Sequence, residues 1–144
     1  MLVKLLPSQV TELWPLYKGH IEGSLPPTGD YGPIDMNSIL SWLLIGQAQL
    51  WLFKDNKEQE NKGFILTAIY GDISGVSTLM IYCMVLFDKT ATVDWEKEYN
   101  TLRTYGNSKG CSKLAAFVKN EKAIDALSKN FEVDTRYVYA FMNI

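Results

Sequence analysis

The sequence predicts an α+β fold: a mixed, mainly antiparallel sheet with helices on both faces. Three observations lead there. The apolar runs AQLWLFKD (48–55), GFILTAIYGD (63–72) and TLMIYCMVLF (78–87) follow one another with turn signals between them, as in an antiparallel meander. The last run is apolar at both strand parities, so it should be the central, fully covered strand. A further strand pattern, CSKLAAFV, follows a helical one and requires a crossover, which places helices on the sheet faces.

The elements read in order as follows. LVKLL (2–6) is a short first strand. Ser8, after Pro7, caps a helix over 9–21 whose Val10, Leu13, Leu16 and Tyr17 share one face. Pro15 lies inside that pattern, where its ring and missing N–H predict a kink or a restart. GSLPPTGDYGP (23–33) is an extended loop by its glycine and proline content. Asp35 or Asn37 caps a second helix through SILSWLLIG, with Ile39, Trp42 and Leu43 as its stripe and Gly46 as its stop. In the meander that follows, KDNKEQENK (54–62) is a solvated hairpin tip of mixed charge, and ISGVS makes the second turn. Asp94 opens a third helix to about Lys109, with Trp95, Leu102 and Tyr105/Gly106 on one side and Gly110 at its end. CSKLAAFV (111–118) is the crossover strand beside the central one. NEKAIDALSKN (120–130) is a short helix, and TRYVYAFMNI (135–144) a closing strand. The order is β-α-α-β-β-β-α-β-α-β, in a single domain over 1–144 with no repeat and no linker.

Composition narrows the classes of function. A chain of 144 residues is long enough to bury one real core. Its net charge is −2, its only arginines are Arg103 and Arg136, and it shows no basic stripe, so no nucleic-acid partner is expected. No membrane association is expected either. The apolar start Met1–Leu6 is too short for a secretory signal, and Leu79–Phe87 is about half a membrane span. Two cysteines, Cys83 and Cys111, build no disulfide framework and match no metal spacing. The expectation is a reduced, cytoplasmic protein whose thiols are small core residues. Around His20, the one histidine, no catalytic dyad or metal site can be built from sequence alone, and its place near the end of the first helix reads as a surface position far from any site.

With this order of elements, several segments resemble the GCN5-related N-acetyltransferase (GNAT) superfamily. YGNSKGCSKLAAFV resembles the family's third helix running through K-G-C into its fifth strand. NEKAIDALSKNFEV resembles the motif that follows, with Asn120, Ala123, Ala126 and Phe131 on its positions. Asn130 stands where the family has glycine, and asparagine is the usual substitute for a left-handed turn. DMNSILSWLLIGQAQLWLF is similar to the second helix and second strand of small GNAT-like proteins of tailed bacteriophages. The likeness spans the whole chain and implies a GNAT-like sheet and an acetyl-coenzyme A site between the fourth and fifth strands. On that basis Val85, Phe87, Lys89, Thr90, Thr92 and Asn120 are the cofactor-binding candidates.

One departure from the family bears on activity. Its pyrophosphate loop, Q/R-x-x-G-x-G/A, lets backbone N–H groups reach the phosphates at a helix N-terminus. Here the stretch is DKTATV, with Asp88 at the Gln/Arg position and Ala91 and Val93 at the glycines; a shift by one puts Thr92 and Asp94 there instead. Asp94, Glu96 and Glu98 already complement the helix dipole by ~0.3–1 kcal/mol each and oppose a dianion. The family's tyrosine proton donor is replaced by Leu127 or Ala126. Tyr70, Asp72, Tyr82 and Cys83 are candidate bases by position only. Two functions therefore stand: an N-acetyltransferase of small or peptide amines that binds acetyl-coenzyme A weakly, or a catalytically inactive GNAT-fold scaffold with a protein partner, such as a phage accessory or virion-associated protein.

Overall fold

The three apolar runs pair as the meander their alternation demands, and the other elements are arranged around it. The computed structural model describes residues 1–26, 34–55, 57, 59–88, 90–119, 121–136, 140 and 142. Its elements are β1 (Leu2–Lys4), α1 (Pro7–Glu22), α2 (Met36–Leu44), β2 (Ala48–Lys54), β3 (Asn61–Gly71), β4 (Ser77–Leu86), α3 (Trp95–Ser108), β5 (Lys113–Ala116) and α4 (Glu121–Asn130). The described strands form one sheet in the order β1-β2-β3-β4-β5, antiparallel except for the parallel pair β4–β5. The closing strand expected over 135–144 falls largely outside the described residues, as does most of the loop after α1.

Helices cover both faces of the sheet. Val10, Tyr17 and Ile21 of α1 and Met36 and Leu43 of α2 pack over Leu50, Leu52, Phe64, Leu66 and Ala68. Leu102 and Tyr105 of α3 pack over Trp51, Phe53, Ile65 and Leu79 on the opposite face. Even positions of β2 and β3 thus look toward α1 and α2, and odd positions toward α3, as period-two geometry requires. One buried polar chain crosses the α3-side face. The Trp51 indole Nε1 donates to Thr67 Oγ1 at 2.9 Å, that hydroxyl donates to Gln49 Oε1 at 2.7 Å, and Gln49 Nε2 donates to the Gly46 carbonyl at 2.7 Å.

Several local expectations are corrected. The fully covered strands are β2 and β3 rather than β4. β4 lies inside the sheet, but only its Leu79 and Cys83 are buried and Met84 is 47 % exposed, because β5 accompanies only the first half of the strand. The α1 N-cap is Leu6, with Pro7 in the first turn, and the Leu6 N–H donates to Gln9 Oε1 at 2.8 Å. α1 runs unbroken through Pro15, its core contacts Val10, Tyr17 and Ile21 lying on both sides of the missing bond. Leu16 and Trp42 are exposed rather than in their stripes, and Trp42 lies against Tyr70. Asn130 stays helical, its Nδ2 donating to the Ala126 carbonyl, so no left-handed turn replaces the family's glycine there. Asp35, of the two candidate caps, holds α2: its Oδ1 accepts the N–H groups of Asn37 and Ser38. Gly46 (φ +82°) and Gly110 (φ +77°) end α2 and α3 in the left-handed conformation that glycine adopts without strain.

Candidate functional site

β4 carries one residue more than its partner can match. Leu66 of β3 pairs with Cys83 and Thr67 with Ile81, so Tyr82 is the extra residue of the bulge. This bulge reverses the parity of the strand. Before it Leu79 and Ile81 pack on the α3 side, and after it Cys83 and Val85 pack on the α1 side while Leu86 takes the α3 side. The parallel register to β5 ends in the same place, running from Thr78↔Lys113 to Ile81↔Ala116. The Phe117 N–H reaches the Ile81 carbonyl at 3.3 Å, and beyond it no backbone bond joins β4 to the chain after β5 among the described residues. β4 and β5 therefore run side by side and then part at Tyr82, whose ring meets Phe117 edge-on at 5.6 Å. Among the described residues, the half of β4 from Cys83 to Leu86 presents an open strand edge to the gap.

Beyond Phe87 the chain turns into α3 through Asp88–Val93. The Asp88 carboxylate holds this turn closed: its Oδ1 accepts the Thr90 N–H at 2.8 Å and the Thr90 hydroxyl at 2.7 Å, and the Asp88 carbonyl accepts the Ala91 N–H. The Thr90 hydroxyl, then its N–H, and more distantly Lys62 favour the ionised form and hold the Asp88 carboxyl below its usual range. Val93 packs into the α3-side core. Asp94 caps α3 through the Lys97 N–H, and Glu96 is exposed. Glu98 departs from the expected picture. It is buried and directed away from the helix start, its Oε2 accepting the Leu2 N–H at 2.8 Å and its Oε1 pairing with the Met1 ammonium at 2.8 Å. Two carboxylates, Asp94 and Glu96, thus remain at the helix N-terminus.

The candidate residues are distributed unevenly around this gap. Val85 is half-buried against the α1 and α2 core, so it offers the gap its backbone more than its side chain. Phe87 is 44 % exposed at the end of the open edge. Thr90 is engaged by Asp88, and Thr92 is exposed on the turn. Lys89 and Asn120 lie outside the described residues. Of the positional base candidates, Tyr70 and Asp72 sit at the β3–β4 turn, at the other end of β4 from the gap. Cys83 is buried beside it, and burial pushes its thiol up although the Ser24 hydroxyl bonds to it. Cys111 is likewise buried and pushed up. His20 overturns its expectation: far from the gap in sequence, it lies with its ring 5.0 Å from that of Phe87, tilted by 53°. Sequence offered no sign of that contact, which depends on how α1 crosses the end of β4.

The fold is that of the GCN5-related N-acetyltransferases. Solved acetyltransferases match over essentially the whole chain. A ribosomal-protein-alanine N-acetyltransferase from Brucella melitensis biovar Abortus 2308 shares 12 % identity at a TM-score of 0.65, with 99 % of each chain covered. An aminoglycoside N-acetyltransferase in complex with CoA shares 12 % identity at 0.66, covering 100 % of this chain and 99 % of that one. A probable acetyltransferase shares 14 % identity at 0.67, covering 100 % and 97 %. At these identities the likeness is one of fold. No family model matches the sequence, and no curated protein matches it. No helix among the described residues is long and apolar enough to cross a membrane.

Proposed function

We propose that this protein is an acyl-coenzyme A-dependent N-acyltransferase of a small amine or peptide amine, with a weak hold on the donor's pyrophosphate. The parting of β4 from β5 at Tyr82 carries the reading. The open edge from Cys83 to Leu86 suits an extended, amide-bearing chain such as the pantetheine arm, which would bond to it like an added strand. Transfer from a thioester to an amine needs orientation, a donor for the carbonyl oxygen and a proton acceptor, and backbone N–H groups along this edge are donors of the required kind. The pyrophosphate fits less well. The Thr90 donors are turned onto Asp88, and Asp94 and Glu96 add negative charge at the helix start. A small amine as acceptor accords with the aminoglycoside enzyme that shares the fold.

Calorimetric titration with acetyl-coenzyme A, followed by thiol release with a panel of polyamines and peptide amines, tests the reading. The expected result is saturable binding weaker than micromolar with slow turnover on at least one amine. Ala91→Gly should tighten binding, and adding Asp94→Asn and Glu96→Gln should tighten it further at low salt. Val93→Gly is a poorer choice, because Val93 is part of the α3-side core. The Asp88–Thr90 closure favours a second reading, a binding protein that keeps the fold without the chemistry, such as a phage accessory or virion-associated protein. Absence of any heat with acetyl-coenzyme A, before and after Asp88→Asn, would favour it and sink the first.

A further inference from the structure

We propose that His20 receives the proton of the attacking amine, an inference that rests on the acyltransferase reading of the gap. His20 lies exposed in the last turn of α1, its ring against Phe87. Phe87 touches Phe64, and Phe64 touches Tyr17, so His20 is the outer member of a line of rings leading out of the α1-side core. The same turn is tied to the inner end of the open edge: the Ser24 hydroxyl donates to the His20 carbonyl at 2.7 Å and also meets the Cys83 thiol. His20 is thus anchored to both ends of the stretch 83–87 that β5 leaves uncovered.

The other ionisable groups of this corner are poorly suited to the task. The Cys83 thiol and the Tyr17 hydroxyl are pushed up by burial, and the Asp88 carboxylate is held down by Thr90. Lys18 and Glu22 share α1 with His20. Lys62 accepts the Phe87 N–H on its carbonyl and pairs with Glu60 through its ammonium, and Lys119 acts on Cys83 from beyond β5. The imidazole, the only one in the chain, offers a ring nitrogen that can accept a proton.

The step balances as follows. The amine lone pair attacks the thioester carbonyl carbon, forming the C–N bond and placing negative charge on the carbonyl oxygen. The nitrogen gives its proton to the His20 imidazole, directly or through one water. The C=O bond re-forms as the C–S bond breaks, the thiolate takes a proton from water, and the imidazolium returns its proton to solvent. The products are an amide and free coenzyme A thiol.

A single histidine makes the test direct, because its imidazole proton resonances are unique in the NMR spectrum. Addition of acetyl-coenzyme A and then spermidine should shift them, and the pH dependence of kcat/KM should follow their titration. His20→Gln and His20→Phe should each lower kcat by ~100-fold or more while leaving acetyl-coenzyme A affinity unchanged. The phenylalanine keeps the ring contact with Phe87, so a purely structural role would be rescued by it. Wild-type kcat and pH profile in His20→Phe, or imidazole resonances unmoved by donor and acceptor during turnover, overturn the inference alone. Absence of acetyl-coenzyme A binding to the wild-type protein overturns the acyltransferase reading and this inference with it.

Discussion

Replacing Thr67 by valine should destabilise the domain without opening a cavity, because the two side chains have nearly the same shape. Thr67 is fully buried, and its hydroxyl is the middle of the chain from Trp51 to Gln49, whose exposures are 3 % and 4 %. Valine would strand two buried partners, the indole N–H and the amide oxygen, at ~1–3 kcal/mol each. The better burial of a methyl group returns ~1 kcal/mol. The net expectation is ~1–5 kcal/mol, or about 3–20 °C in Tm at ~3–4 °C per kcal/mol for a domain of this size. Thr67→Ser is the control, since it keeps the hydroxyl and loses a methyl worth ~1 kcal/mol. Urea and thermal denaturation of the three proteins decide the matter, with the Trp51 indole resonance as a local probe. If valine costs no more than serine, the hydroxyl contributes nothing net and the reasoning is wrong.

Gly63→Ala should prevent folding or cost ~4 kcal/mol or more, since its Cβ would stand 2.1 Å from the Val85 carbonyl oxygen at a backbone φ of +155°. A cooperative thermal transition near that of wild type would refute this. Glu98→Ala should cost ~2–3 kcal/mol in chemical denaturation, because the buried Leu2 N–H and the Met1 ammonium lose their acceptor. An unchanged midpoint would show that water replaces the carboxylate. The Asp88 carboxyl is held down in the folded state, first by the Thr90 hydroxyl, so its contribution is present above ~pH 4 and is lost as pH falls through the lowered folded value. The Thr90 amide resonance should therefore shift on acid titration and be insensitive to acid in Asp88→Asn; a flat response in the wild type would mean that the turn does not depend on the carboxylate.

Elements governed by local chemistry were legible in the sequence. The Asp94 cap, the left-handed stops at Gly46 and Gly110, and the meander all follow from residue type and spacing. What escaped were long-range outcomes. The burial of β4 depends on where β5 leaves it, and no periodicity in TLMIYCMVLF announces that the register slips at Tyr82. Glu98 reads as one more acid in a helix start until the position of β1 gives it the Leu2 N–H. His20 stands far from the gap in sequence, and its proximity to Phe87 is set by how α1 lies across the sheet. The substituted turn could be recognised from sequence, whereas its closure by an aspartate onto the next threonine but one required coordinates.

The bulge at Tyr82 makes β4 sensitive to length rather than to identity. A substitution there alters one side chain, whereas deleting Tyr82 would set Ile81 directly before Cys83, each still opposite its partner Thr67 or Leu66. Cys83 and Val85 would keep the α1 side and Leu86 the α3 side, so the faces would stay as they are while the kink of the bulge is lost. The straightened strand would also lie where the chain after β5 could continue its ladder. A one-codon deletion would thus act like a hinge pin removed: the sheet could close, and the opening that distinguishes this end of the molecule would cease to exist.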